Sequence, residues 1–193
     1  ISILLSIPSA IFAQQFPFME AYNINPFSMS PSYAGIKNPR TLFVDYRSDW
    51  TGVDGGPSTC HLSYNDKFAK KVGLGGRFIY DKTDIFRQTM LMGTYNYEVQ
   101  IAKDHLVNFA LSTGFYRNSI DLGKYYSDIN YVNDAVLTYG KENSRIKLAT
   151  DISALYRFQN IEAGIMFSNM MFGTAKYSET DITYKPLKNY LIH

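Results

Sequence analysis

The chain has one cysteine, Cys60, in 193 residues, and only three histidines. One thiol excludes an internal disulfide framework, and with so few scattered imidazoles it also excludes the usual zinc spacings. The formal net charge is +2, too small to point to nucleic acid or to a strongly anionic surface as the partner. After Ala13 no apolar run approaches the ~18 residues of a membrane helix. Gly-x-Ser-x-Gly, His-Glu-x-x-His and P-loop patterns are all missing, so the sequence suggests neither an enzyme nor a cofactor or metal site. What the chain has in quantity is aromatic residues, 16%, with 16 tyrosines and 13 phenylalanines. Tyrosine suits places that are apolar at one end and wet at the other.

Residues 1–13 are uncharged and mostly apolar, ending in Ile11-Phe12-Ala13. They have the character of a partial secretory signal peptide, which implies export. A buried N-terminal strand or helix is the alternative. Residues 14–40 carry Pro17, Pro26, Pro31 and Pro39 and read as an irregular N-terminal segment. From Thr41 to residue 193 the pattern is two-residue alternation. In the fifth predicted strand Val107, Phe109, Leu111 and Phe115 share one face, and Asn108, Ala110, Ser112 and Gly114 the other. Such alternation marks strands with unlike faces.

Strands are predicted at 40–50, 58–66, 72–81, 86–98, 106–117, 147–158 and 161–172. Most exceed the ~5–6 residues of an average soluble strand and fit the ~9–11 that cross a bilayer at a tilt. With the N-terminus in the periplasm, the polar stretch from Asn118 to Ile146 falls outside and the Gln159-Asn160 turn inside. Transmembrane barrels have that asymmetry. Tyr64, Tyr95 or Tyr97, and Tyr156 fall near inner strand ends, and Trp50, Tyr80 and Phe115 near outer ends, as two aromatic girdles would. The expected fold is therefore all-β, an antiparallel transmembrane β-barrel of the outer membrane in contact with its lipid. A soluble β-sandwich shows similar alternation and is the competing architecture. Seven strands do not close a bacterial barrel, which uses an even number from eight upward. Either further strands lie within 178–193, or the sequence is a C-terminally truncated part of the barrel, the reading preferred here.

The chemical motifs have plain structural readings. The glycines of Val72-Gly-Leu-Gly-Gly76 lie inside a strand, where they mark curvature or close backbone approach and not a phosphate cradle. His61 and His105 have no acidic partner in evident register. Asp121, Asp128 and Asp134 match no compact calcium loop and read as solvated charges. Asp45, Arg47, Arg77, Asp81, Asp151 and Arg157 fall on the lumen-side face with mixed sign, which calls for cross-lumen pairs or a wet interior. Trp50 closes the first strand, and Gly52, Gly55, Gly56 and Pro57 build the turn beyond it, with Arg47 and Asp49 as a buttress. That turn, with Asp54, is the candidate partner-binding site; pure architecture is the alternative.

Several blocks make the sequence resemble the PorP/SprF family, outer-membrane proteins of the type IX secretion and gliding machinery of Bacteroidota. Ser30-Pro-Ser-Tyr-Ala-Gly35 resembles the family's Asn-Pro-Ala-Tyr-Ala-Gly stretch, departing at Ser30 and Ser32. Arg47-Ser-Asp-Trp-Thr-Gly52 and Gly56-Pro-Ser-Thr59 resemble its Arg-x-x-Trp-x-Gly and Gly-x-Pro-x-Thr signature, with Pro57 here directly after Gly56. Gln14-Gln15, Leu74-Gly-Gly76, Tyr95-Asn-Tyr97 and the stretch from Asp151 to Asn169 continue the similarity. The resemblance implies help in exporting or anchoring a surface adhesin or a cargo with a type-B C-terminal signal, alongside other type IX components. A passive channel for small solutes is the runner-up.

Overall fold

The computed structural model describes residues 23–37, 39–121, 141–143, 146–168, 170, 175–176, 183–184 and 189–193. The predicted signal, residues 1–13, and the aspartates Asp128 and Asp134 lie outside them. Among the described residues no helix is long and apolar enough to cross a membrane.

After one helical turn, α1 (Pro26–Met29), and a 3-10 turn (Pro31–Tyr33), the chain enters β1 (Thr41–Ser48), β2 (Ser58–Ala69), β3 (Val72–Thr83), β4 (Phe86–Ala102) and β5 (His105–Asp121). These are followed by β6 (Lys141–Asn143), β7 (Lys147–Phe158), β8 (Ile161–Ser168), β9 (Ala175–Lys176), β10 (Thr183–Tyr184) and β11 (Asn189–Ile192). One antiparallel sheet runs in the order β1-β2-β3-β4-β5-β7-β8-β11, with β6 on the end of β5 and β9 and β10 paired apart. All seven expected strands are present. β4 and β5 are longer than expected, because pairing runs from Ala102↔His105 out to Phe86↔Ile120. β1 ends at Ser48, short of the expected limit, and β8 covers Ile161–Ser168; positions 169 and 171–172 of its expected range lie outside the described residues. Asn189–Ile192 pairs with β8, so a further strand does lie in the C-terminal stretch. Among the described residues β1 and β11 do not pair, and the sheet is not closed.

Three strand connections at one end are two-residue turns, Lys70-Lys71, Lys103-Asp104 and Gln159-Asn160. The other end carries the longer connection from Asp49 to Pro57, the two-residue turn Asp84-Ile85 and the segment between β5 and β7. The expected outer stretch is shorter than the sequence suggested, since β5 continues to Asp121 and pairs there with Lys141.

The two faces of the sheet are inverted relative to a water-soluble protein. Phe109 and Phe115 are 55% and 60% exposed, while Asn108 and Ser112, on the opposite face of β5, are 1% and 0% exposed. The same holds across the sheet. Leu42, Val44, Leu62, Leu91, Ile152, Ile165 and Phe167 look outward, and Ser63, Asn65, Asn96, Asp151 and Ser153 are buried. Water would drive this surface inside, whereas the hydrocarbon of a bilayer removes that drive. A soluble sandwich requires the reverse arrangement; the face pattern is consistent with a barrel, although the described sheet is not closed. The outward aromatics include Tyr64, Tyr95, Tyr97 and Tyr156 at the short-turn end, as expected, although Tyr80 is only half-exposed.

A charge placed on the outward face at mid-strand should therefore be costly. Leu111→Arg should destabilise the lipid-inserted protein by about 2–4 kcal/mol, read as a shift of the unfolding midpoint from vesicles. A shift within ~0.5 kcal/mol, typical of a water-exposed position, would refute the inverted-face assignment.

Candidate functional site

The concave face is occupied by the chain's own N-terminal segment. Asn25 Nδ2 donates to Ser63 Oγ on β2 at 2.9 Å. Gly35 N–H donates to Asn65 Oδ1 on β2 at 2.9 Å, and Asn96 Nδ2 on β4 donates to the Ala34 carbonyl at 2.8 Å. Tyr33 O–H donates to Glu162 on β8 at 3.1 Å, and Lys37 meets the same carboxylate at 2.6 Å. Burial, together with the Glu162 charge, pushes the Tyr33 phenol up to about 12.

These contacts are those of a curved sheet. β2 and β8 are five strand steps apart, about 24 Å on a flat sheet, whereas the backbone from Tyr33 to Gly35 spans only about 7 Å. On a flat sheet the Tyr33, Glu162 and Asn65 side chains would have to lie nearly extended in its plane to cover the rest, so the two bonds fit a sheet that wraps the segment. Two strand glycines make the seat. A Cβ on Gly73 would lie 2.0 Å from the Ala34 carbonyl oxygen, and one on Gly75 would lie 2.5 Å from the Phe27 ring. The expected close backbone approach at Val72-Gly-Leu-Gly-Gly76 is thus real, and the approaching chain is Phe27–Gly35. The sequence reading assigned that segment no role. Its signal was present as glycines on the polar face of one strand and a Ser/Tyr/Ala/Gly block small enough to lie against them.

Beside this strap a buried ion pair spans the hollow. Arg77 Nη2 on β3 lies 2.7 Å from Asp151 Oδ2 on β7, with side chains 5% and 7% exposed. Arg77 also donates to the Ser28 carbonyl at 3.5 Å and lies over the Phe27 ring. Arg157 pairs with Glu98 and donates to Asn108, and Thr59 donates to Asp81 at 2.6 Å. Cross-lumen pairs or a wet interior were expected for the mixed lumen charges; of that set Arg77 and Asp151 pair with each other, Arg157 pairs with Glu98, and Arg47 pairs with Asp49 in an exposed position. Farther toward the long-connection end, Ile79, Met90, Met92, Tyr116 and Ala149 form an apolar cluster on the same face. His61 is buried on this face and faces Phe43, whereas His105 bonds Tyr156 at the short-turn end. Asp121 pairs with Arg87 at 2.8 Å.

At the opposite end stands the connection singled out by its tryptophan. Trp50 does not close β1, because the strand stops at Ser48. Trp50 instead sits in the turn with φ 56° and is 70% exposed. Asp49 N–H donates to the Pro57 carbonyl at 2.9 Å, which locks the base of the loop, and Val53 N–H donates to the Trp50 carbonyl. Gly52 and Gly55 have φ of 92° and 84°, the left-handed region that favours glycine. A Cβ on Gly56 would lie 2.7 Å from the Asp49 carbonyl oxygen. Arg47 Nε donates to both carboxylate oxygens of Asp49, at 2.9 and 3.0 Å. The Gly55 carbonyl accepts from Asp84 N–H at 3.0 Å, which braces the loop on the β3–β4 turn. Arg47, Asp49, Gly52, Asp54, Gly55, Gly56 and Pro57 thus build one locked turn that presents Trp50 and Val53 outward.

A family model described as type IX secretion system membrane protein PorP/SprF matches residues 11–193. No curated protein and no solved structure matches the chain.

Proposed function

Because the chain belongs to the PorP/SprF family of type IX secretion system membrane proteins, we propose that it is an outer-membrane barrel accessory which helps export or anchor a surface adhesin or another cargo with a type-B C-terminal signal. The observation that carries this reading is the inverted sheet: an apolar outward face around a polar, self-filled hollow. Its partners are the cargo, other type IX components and outer-membrane lipid. In this reading the chain has no catalytic role and enters the outer membrane after its signal is removed, with the turns Lys70-Lys71, Lys103-Asp104 and Gln159-Asn160 toward the periplasm.

The small-solute channel is disfavoured by the strap across the concave face and the Met–Tyr cluster beyond it. Steady open pores of the full-length protein in planar bilayers would favour the channel instead.

The Trp50 turn is the surface offered to a secreted partner. A rigid loop presenting an exposed aromatic is a frequent form of binding hot spot. Replacing Trp50 by alanine, together with Asp54 and Pro57, should lower adhesin display severalfold while the barrel stays inserted at normal abundance. Surface labelling of the adhesin and heat-modifiable gel mobility of the barrel, in the same cells, measure both. Unchanged display with a normal barrel would leave the turn a structural element only.

A further inference from the structure

Next to the strap, at the short-turn end, a cavity of ≈ 60 Å³ opens between Ala34–Ile36 and the ends of β2, β3, β4, β5 and β7. Its wall carries Lys67, Lys70, Lys71 and Arg157 against one carboxylate, Glu98. Glu98 is already engaged by Arg157. Lys37 and Arg40, nearby, are matched by Glu162 and Asp66. Lys67, Lys70 and Lys71 make no ion pair or side-chain hydrogen bond among the described residues. Three lysines therefore line one opening whose single carboxylate, Glu98, is taken by Arg157.

The direction of the opening decides what it meets. Lys67 follows Ser63 and Asn65 on the inward face of β2 and stands opposite Gly73. The amides of Asn96 and Asn108 line the cavity floor. The opening thus faces the mouth of the hollow and not the lipid-facing side. We propose that this mouth is a binding site for an acidic peptide segment, whose carboxylates take the three unmatched lysines. A peptide fits better than a lipid headgroup, because the site lies inside the rim, beside the exposed edge of the strap.

The test uses the full-length protein in detergent and a fluorescent octaglutamate peptide, with octaglutamine as the neutral control. Octaglutamate should bind, octaglutamine should not, and raising salt from about 50 to about 300 mM should weaken binding. Lys67→Gln/Lys70→Gln/Lys71→Gln should lose roughly tenfold in affinity, the scale of several exposed charge contacts. Lys82→Gln, at the far end of β3, should lose nothing. Each single lysine variant should weaken binding by a smaller step, which keeps the result readable if the triple variant folds poorly. Equal binding of both peptides, an unchanged triple variant, or capture only by phosphatidylglycerol vesicles would overturn the proposal. Competition by acetate but not phosphate supports carboxylate recognition, and the reverse contradicts it. The readout is independent of adhesin display, so failure here and failure of the secretion reading are distinguishable.

Discussion

Gly73→Leu should expel the N-terminal strap from the hollow while the sheet remains. A side chain at residue 73 cannot share space with the Ala34 carbonyl, 2.0 Å from where its Cβ would stand. The blocking atom is backbone and cannot swing aside as a side-chain tip could. What the strap then loses is the burial of Phe27, Tyr33 and Ala34, which are 1%, 6% and 0% exposed. Two aromatic side chains at about 1.5–3 kcal/mol each correspond to roughly a hundredfold or more in the population of the released state. Ala34→Cys in a Cys60→Ser background reports it. In the parent the thiol should react slowly with a water-soluble maleimide, and with Gly73→Leu its rate should rise by roughly that factor. Equal rates would mean that the strap is not held by the glycine seat.

The second large effect concerns the pair beneath the strap. Asp151→Leu leaves the Arg77 guanidinium 5% exposed with no carboxylate, and stranding one buried charge costs about 3–5 kcal/mol. Arg77→Met should cost a similar amount. The double variant Arg77→Met/Asp151→Leu should regain most of the loss, because two apolar groups of similar bulk leave no charge to solvate. Arg77 also contacts the Ser28 carbonyl and the Phe27 ring, so recovery should stop short of complete. Urea unfolding from micelles gives the three values. Simple additivity of the single losses would show that the two groups do not interact.

Much of the fold was legible because a pleated strand turns each residue to the face opposite its neighbour. LVNFALSTGFYR already separates Phe109 and Leu111 from Asn108 and Ser112, and the structure buries the polar set. The ends were less legible, since hydrogen-bond pairing and turn dihedrals set them. Trp50 has the strand propensity of an aromatic, yet its φ of 56° places it in the turn. The strap was least legible. Its partners Asn65, Gly73, Asn96 and Glu162 are 30 to 129 residues away along the chain, and no local pattern encodes contacts at such separations. The lumen charges were readable as a set but not as pairs, because which strands face each other depends on curvature that the strap itself helps to set.

On the proposed reading the outer face of the sheet meets lipid and its inner face is filled by the N-terminal segment. A nitroxide scan along β5, residues 107–115, in a Cys60→Ser background of the full-length protein in bilayers tests it most directly. At 107, 109, 111, 113 and 115 the label should collide freely with oxygen, which concentrates in lipid, and little with a water-soluble nickel chelate. At 108, 110 and 112 both collision rates should be low, since those side chains are buried against the hollow. High nickel accessibility at 109 and 111, without the two-residue oscillation in oxygen accessibility, would contradict the account.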